Sequence, residues 1–316
     1  MGFLQSIYTY LHLSASIADA TKGIVNALER RVYCFLKKEA LHGYSVETTR
    51  KGVSHDVIAD NPVIVSLTTH GKRLYEVYLT IESIMQGTVL PNKIILWLSE
   101  EYKNSPLPIT LRNQMKRGLE IRYCRDVRSY TKLIPALREF PDSVIITIDD
   151  DVFYQPDMLE GLLNAHAIYP NDVLANRVDE IVLGSDGKPI TCLNWNIFQK
   201  PKGVSPLNLA LGVEGVLYPP NSFDEEVLNE QVFLSICPTA DDLWFKAMEL
   251  RAGTNVRHVY THYERGGEII PNIGTQDIGL QYINENVNDC KNDSQFAKVL
   301  DRYNLYGKLK KIDSLG

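Results

Sequence analysis

The sequence predicts an α/β fold with a mainly parallel central sheet and helices on both of its faces. Short apolar, β-branched runs, typical of buried parallel strands, alternate with segments of helical periodicity. The strand runs are residues 63–67, 93–98, 119–123 and 144–148, and the helical segments between them are 73–86 and 133–140. This alternation predicts right-handed βαβ units, in which ligands bind at the carboxyl ends of the strands.

The bulk composition excludes several classes of protein. The 316 residues are 44% hydrophobic, and the net charge of −6 offers no basic face for nucleic acid, so no nucleic-acid partner is expected. The residues after the first strand match neither the dinucleotide fingerprint nor the P-loop. The five scattered cysteines, without a C-x-x-C pair, predict reduced, buried thiols in a cytoplasmic protein, not a disulfide framework or a zinc site.

We divide the chain into an N-terminal helical segment with a linker (1–60), a main domain (61–265) and a C-terminal loop and helix (266–316). Residues 3 to about 40 show helical spacing, and 41–60 are predicted to be the linker. The first 18 residues are too polar to span a bilayer. The N-terminal helices are expected to pack on the main domain or on a second subunit of a homo-oligomer. The alternative is peripheral contact with the inner face of a membrane.

Three consecutive aspartates, Asp149, Asp150 and Asp151, follow the most apolar strand of the chain. Adjacent carboxylates repel one another, and burial at a strand end increases that cost. A bound Mn²⁺ or Mg²⁺ relieves the repulsion, because these cations prefer carboxylate oxygens and take substrate phosphates as further ligands. The alternative is a solvated acidic turn. The sequence favours a metal–nucleotide site.

The run ITIDDDVFY, residues 146–154, resembles the D-x-D element of GT-A glycosyltransferases. VSLTTHGKRL is similar to the family's first nucleotide-binding strand, and SYTKLIPAL to the segment before D-x-D. TIESIMQGTVLPNKIILWLS is similar to the helix and second strand between them. The similarity covers residues 62–265; it is to bacterial family-2-like enzymes and, more distantly, to exostosin-type transferases.

This resemblance implies the GT-A, or nucleotide-diphospho-sugar transferase, fold and a glycosyltransferase activity. The donor is expected to be a nucleotide sugar, preferentially a UDP-sugar, and the acceptor a glycan or a lipid-linked saccharide. A sugar-1-phosphate nucleotidyltransferase, which shares the sheet and the metal chemistry, is the first alternative. The second is a non-catalytic glycan-binding or scaffold protein with a transferase fold.

The resemblance also implies roles for individual residues. Asp151 and Asp149 would bind the metal, with Asp149 also contacting the donor ribose, and His262 is a third candidate ligand. The metal would bridge both phosphates and stabilise the diphosphate leaving group. The candidates for the nucleotide pocket are Thr68, Arg73, Asp126, Lys132, Asp149 and Asp150. For Arg73 and Lys132 the alternative is a solvated surface charge.

A helix is predicted to begin near Asp241 and Asp242. In the similar family an acidic residue here acts on the acceptor hydroxyl, and Asp242 is the preferred candidate over Asp241. The alternative is helix capping, because Thr239 and Asp242 have the spacing of a capping box.

Two further segments of the second half carry candidate residues. Segment 208–220, with Gly212 and Gly215, resembles the family's glycine-rich segment but has Val213 and Glu214 between the glycines. His258 and His262 share one face of a predicted strand. Buried structural histidines are the alternative there.

Overall fold

The computed structural model describes residues 19–56, 58–197, 203–259, 270–278, 285–286 and 289–309. In this part of the chain the helices are α1 (Asp19–Glu47), α2 (Val77–Met85), α3 (Ile109–Met115), α4 (Ile134–Glu139), α5 (Met158–Ile168), α6 (Glu230–Ile236), α7 (Asp241–Ala252) and α8 (Lys291–Tyr303). The strands are β1 (Val63–Thr68), β2 (Lys93–Ser99), β3 (Leu119–Cys124), β4 (Val144–Thr147), β5 (Val152–Phe153), β6 (Val173–Ala175), β7 (Val178–Glu180), β8 (Asn196–Ile197), β9 (Asn208–Ala210), β10 (Val216–Tyr218), β11 (Val256–His258), β12 (Ile270–Pro271), β13 (Glu285–Asn286) and β14 (Asp289–Cys290).

The central sheet of the described residues has seven strands in the order β11-β6-β10-β4-β1-β2-β3. β1 is parallel to both β2 and β4, and β2 is parallel to β3. β10 runs antiparallel to both of its neighbours, β4 and β6, whereas β11 is parallel to β6. The chain leaves β1 towards β2 and β3 and later returns to its other side as β4. The carboxyl ends of β1 and β4 therefore flank a topological switch point, where open α/β sheets bind ligands.

Side chains of the sheet alternate between two apolar cores, as the period of two along a strand requires. In β1, Val63, Val65 and Leu67 pack with α1, α2, α3 and α5 on one face. Ile64 points to the other face, where α4, α6, α7 and α8 contribute. The predicted fold class, an α/β fold with a mainly parallel sheet covered by helices on both faces, is confirmed.

The N-terminal prediction needs one correction. α1 continues to Glu47 and so occupies part of the predicted linker, while residues 3–18 lie outside the described part of the chain. The helix packs on the main domain: Lys38 Nζ lies 2.6 Å from Glu76 Oε2, and His42 Nδ1 lies 2.8 Å from the Tyr78 hydroxyl. Among the described residues, no helix has the length and apolar character needed to cross a membrane. Membrane contact, a second subunit and the domain boundaries stay predictions.

Several elements could not be predicted from the sequence, for different physical reasons. β6 has three residues, too few for a periodic pattern, whereas β11 lies within the predicted strand that carries His258. α5 begins after Asp157; Asp157 and Glu160 have the spacing of a helix start, but the Asp157 side chain makes no capping hydrogen bond. β12 pairs with β5, which places the C-terminal segment beside the strand that follows the aspartate triplet.

Candidate functional site at the carboxyl edge of the sheet

The three consecutive aspartates point to different partners. Asp150 is buried: its Oδ2 accepts a 2.5 Å hydrogen bond from the Thr69 hydroxyl, and its Oδ1 accepts one of 2.8 Å from Arg73 Nη1. Burial raises the pKa of Asp150, while Arg73 and Thr69 oppose that rise. Asp150 therefore holds the Arg73 guanidinium close to the end of β4.

Arg73 bridges the triplet and the C-terminal segment. Its Nη2 lies 2.9 Å from Asp151 Oδ2, and its Nε donates to the Thr275 carbonyl at 3.3 Å. Burial acts to lower the pKa of Arg73, but the carboxylates of Asp150 and Asp151 outweigh it and raise the pKa. Only 16% of the side chain is exposed, so the alternative of a solvated surface charge is excluded for Arg73.

Lys132 joins the triplet to the helix α7. Its Nζ lies 2.9 Å from Asp149 Oδ1 and 3.3 Å from Asp241 Oδ2, and the side chain is 9% exposed. Its backbone carbonyl accepts a 2.6 Å hydrogen bond from the Ser66 hydroxyl in β1, which fixes the turn Arg128–Lys132 on the sheet. Burial acts to lower the pKa of Lys132, but Asp149, Asp241 and Asp242 raise it well above its ordinary value. Lys132 is therefore no solvated surface charge either.

The glycine-punctuated segment allows the lysine to reach this position. A methyl group on Gly212 would lie 2.5 Å from Lys132 Nζ and 3.5 Å from Asp242 Oδ1. Gly215 has a φ of +95°, a backbone conformation that favours glycine. Between the two glycines, the Val213 carbonyl accepts a 3.0 Å hydrogen bond from the Tyr154 hydroxyl. The absence of a side chain at Gly212 thus allows the backbone to lie close to Lys132 and Asp242.

Asp241 and Asp242 lie in the first turn of α7, but the capping-box hypothesis is wrong. The residue at the N-cap is Ala240, and the Thr239 hydroxyl hydrogen-bonds with Gln295 instead. Asp242 Oδ1 has no hydrogen-bond partner within the described part of the chain. Burial and the neighbouring Asp241 raise the pKa of Asp242 to about 8.

The other predicted residues are placed less centrally. The Thr68 hydroxyl donates to the Trp97 carbonyl at 3.0 Å, and its neighbour Thr69 makes the contact with Asp150. Asp126 is exposed after β3, and its Oδ1 accepts a 2.7 Å hydrogen bond from the Arg128 backbone N–H. β3 is separated from β1 by β2, so these contacts do not bring Asp126 to the triplet. His262 lies outside the described residues, and His258 is buried with its Nε2 3.1 Å from the Asn176 carbonyl oxygen.

Two further residues contribute to this region: Tyr154, which the sequence did not single out, and Glu214, which lies between the two glycines. The Tyr154 hydroxyl accepts a 2.9 Å hydrogen bond from the Asp149 backbone N–H and donates to Val213, so it links the end of β4 to the glycine segment. Glu214 is buried with Arg177 Nη1 3.8 Å from its Oε1, and burial raises its pKa to about 7. A single tyrosine after a two-residue strand carries no spacing signal that could have identified the role of Tyr154.

The donor atoms of this region suit a hard divalent cation. Five carboxylates, from Asp149, Asp150, Asp151, Asp241 and Asp242, share two cationic side chains, Arg73 and Lys132. In the described residues, no three of these carboxylates place their oxygen atoms close enough together to bind one metal ion. That arrangement still fits Mn²⁺ or Mg²⁺, which commonly bind one or two carboxylates and complete their coordination with water and phosphate. The orphaned oxygen of Asp242 also requires a partner, because a buried acceptor without one is costly.

No protein-family model matches the chain, and no curated protein matches it. Among solved structures, similarity is found to a CMP:2-keto-3-deoxy-manno-octonic acid synthetase complexed with CTP. The identity is 11% and the TM-score 0.35, over 63% of this chain and 90% of that one. The mannosyltransferase PcManGT from Pyrobaculum calidifontis, in complex with GDP-Man and Mn²⁺, shows 14% identity and a TM-score of 0.40 over 81% of this chain and 66% of that one. Scores this low assign no role to any residue of this chain.

Proposed function

We propose that this protein is a metal-dependent glycosyltransferase of the GT-A type, which moves a sugar from a nucleotide-sugar donor to a glycan or lipid-linked acceptor. One observation carries the proposal. The aspartate triplet, the partly buried Arg73, the buried Lys132 and the acidic first turn of α7 converge at the switch point of a parallel sheet. A structural role alone does not account for five carboxylates around two cations, since each buried charge costs free energy.

Asp149 and Asp151 are the residues proposed to hold Mn²⁺ or Mg²⁺. The bound cation supplies Lewis-acid stabilisation of the diphosphate leaving group. Lys132 adds positive charge on the same side, where it is fixed by Asp149 and Asp241. Arg73 keeps Asp151 in place through its 2.9 Å contact. Preorganised charges of this kind stabilise a transition state without reorganising during the reaction. His262 is retained as a proposed additional ligand.

Asp242 is proposed as the base that accepts the proton of the acceptor hydroxyl. Its pKa of about 8, which burial and Asp241 produce, suits proton transfer near neutral pH. Asp241 is the weaker candidate because its Oδ2 is 3.3 Å from Lys132 Nζ. A sugar-1-phosphate nucleotidyltransferase would not use such a base, since its attacking phosphate oxygen carries no proton to remove. A base in this position favours an inverting glycosyl transfer.

The donor is proposed to be a UDP-sugar, with Thr68 and Asp126 on the nucleoside side of the pocket. A thermal-shift screen of UDP-, GDP-, CMP- and dTDP-sugars, each with and without Mn²⁺, tests this assignment. A specific ligand stabilises the folded state by about 2.7 kcal/mol at a hundredfold excess over Kd. We expect one class of nucleotide sugar to raise Tm only when Mn²⁺ is present. Prolonged incubation with that donor should release nucleoside diphosphate slowly. Release of pyrophosphate from a nucleoside triphosphate and a sugar phosphate would assign the nucleotidyltransferase instead. The absence of any Mn²⁺-dependent rise in Tm would favour a non-catalytic glycan-binding or scaffold protein.

A further inference from the structure

The cysteines, expected to be scattered and buried, include two that are neighbours in space. Cys192 Sγ and Cys290 Sγ lie 2.8 Å apart although 98 positions separate them in the sequence, and both residues are partly exposed. We propose that Cys192 and Cys290 are a redox-active pair that closes to an intramolecular disulfide when a small-molecule disulfide oxidises the protein.

The spacing of the sulfur atoms favours a disulfide over a metal site. Two thiolates on one tetrahedral zinc ion, with Zn–S bonds of about 2.3 Å, lie roughly 3.8 Å apart. The observed 2.8 Å is well inside that separation and closer to the bonded distance. Asp293 completes the only candidate ligand set among the described residues, and its Oδ1 already accepts a 2.7 Å hydrogen bond from the Cys192 N–H. A structural zinc site usually requires four protein ligands.

Packing around the two cysteines holds them together before any bond forms. Cys192 begins the short turn Cys192–Asn194, and Cys290 is the residue that precedes α8. Trp195 stacks edge-on against Phe296 of α8, with ring centroids 5.9 Å apart, and its Nε1 donates to the Ile190 carbonyl. These contacts fix the turn against the helix, so little chain entropy is lost when the sulfurs bond.

The reaction balances as two thiol–disulfide exchanges. Burial raises the pKa of the Cys192 thiol, and Cys290 and Asp293 raise it further, so the first attack is assigned to Cys290. The Cys290 thiolate attacks one sulfur of oxidised glutathione, which forms a mixed disulfide and releases one glutathione. Cys192 then loses its proton to solvent and attacks the Cys290 sulfur, which forms the intramolecular bond and releases the second glutathione. Two electrons pass to the oxidant.

The bond would add a covalent link to the C-terminal part of the chain, which already contacts the aspartate triplet and Arg73. The Asn272 N–H donates to the Asp151 carbonyl at 2.7 Å, and Arg73 Nε donates to the Thr275 carbonyl. Oxidation would add a covalent link at Cys290, on the C-terminal side of these two contacts. A cross-link that closes so long a loop mainly restricts the unfolded chain.

The test treats the full-length native protein with oxidised glutathione, alkylates free thiols under denaturing conditions and maps the unreduced peptides by mass spectrometry. We expect two of the five thiols to disappear into one cross-linked peptide that contains Cys192 and Cys290, without bound glutathione. Tm should rise by several degrees, and dithiothreitol should reverse the rise.

Cys192→Ser and Cys290→Ser should each retain glutathione on the remaining thiol and show no rise in Tm. Cys124→Ser removes a partly exposed thiol elsewhere and should behave like the wild type. If a serine variant does not fold, the wild-type peptide map decides alone. Stable glutathione adducts in the wild type, or five unchanged thiols, would overturn the proposal. Stoichiometric zinc that is bound to the reduced wild type and is absent from Cys290→Ser would also overturn the proposal.

Discussion

Among single residues, Lys132 links the aspartate triplet to the first turn of α7. Its ammonium is shared between Asp149 of the triplet and Asp241 of α7, and the backbone at Gly212 leaves it room. Neither Asp241 Oδ2 nor Asp242 Oδ1 has a hydrogen-bond partner in the described chain, but Asp241 Oδ2 lies 3.3 Å from Lys132 Nζ and forms an ion pair with it. This ion pair distinguishes the two adjacent aspartates.

The first prediction concerns this distinction. Asp242→Asn keeps the shape of the side chain but cannot accept a proton from the acceptor. We expect nucleotide-sugar binding and Tm to stay near normal while transfer to the acceptor falls by roughly 10²–10⁴-fold. Steady-state transfer assays with saturating donor measure the change.

Asp241→Asn is the matched control for that variant. It removes one of the two carboxylates that pair with Lys132, so it should lower stability more and the transfer rate less. Transfer at the wild-type rate in Asp242→Asn would remove its proposed role as the base. Asp241, Glu214 or a retaining mechanism without such a base would then have to be considered.

Glu214 provides a prediction about pH. In the unfolded chain its pKa is 4.5, and burial raises the pKa to about 7 in the folded protein. Between these values the folded state holds a proton that the unfolded state has lost, so the free energy of unfolding decreases as pH rises through this window. The decrease is at most about 3.5 kcal/mol, at about 1.4 kcal/mol per pKa unit.

Glu214→Gln removes this dependence. The variant should match the wild type near pH 4 and be more stable at pH 8, as measured by urea unfolding at both values. Identical pH profiles for the two proteins would show that folding leaves the pKa of Glu214 unchanged.

At the scale of elements, α7 contributes an acidic first turn to the site and a buried ion pair further along. Lys246 Nζ lies 3.8 Å from Glu249 Oε2, with 1% and 2% of the side chains exposed. Burial lowers the pKa of Lys246 and raises the pKa of Glu249 to about 7. Neither of these two atoms has a hydrogen-bond partner in the described residues, so the pair adds little net stability.

A double-mutant cycle tests this view of α7. Lys246→Met alone leaves a buried carboxylate unpaired and should cost about 3–5 kcal/mol at pH 8. Lys246→Met combined with Glu249→Leu removes both charges and should restore wild-type stability or exceed it. Urea unfolding gives both free energies. Additive losses would mean that the two side chains do not interact.

The long strands could be predicted because a buried parallel strand requires consecutive apolar residues. β1, β2 and β4 follow that rule and indicated where the ligand edge lies, whereas β3 alternates apolar residues with Glu120 and Arg122. The antiparallel β10 inserts between β4 and β6 with only three residues, and its direction depends on the preceding glycine turn. Sequence periodicity carries no information about such an insertion.

At the scale of the whole molecule, long-range contacts between side chains could not be predicted from sequence periodicity either. The sequence could indicate that Asp149, Lys132 and Asp241 follow or precede regular elements at one edge. It could not show that one ammonium would join residues 17 and 109 positions away, since no spacing rule connects them. Nor could it show that Cys192 lies against Cys290. Long-range pairs of this kind arise from the packing of α7 and α8 on one face of the sheet.

The central claim is that Asp151 binds a divalent cation that holds the donor. Isothermal titration of the best-binding nucleotide sugar, with and without Mn²⁺, tests it in the wild type, in Asp151→Asn and in Asp157→Asn. Asp157 is a partly buried aspartate without a capping hydrogen bond and serves as the control. We predict Mn²⁺-dependent binding in the wild type and the control, and its loss in Asp151→Asn with Tm retained. Unchanged affinity of Asp151→Asn in the presence of Mn²⁺ would contradict the metal site.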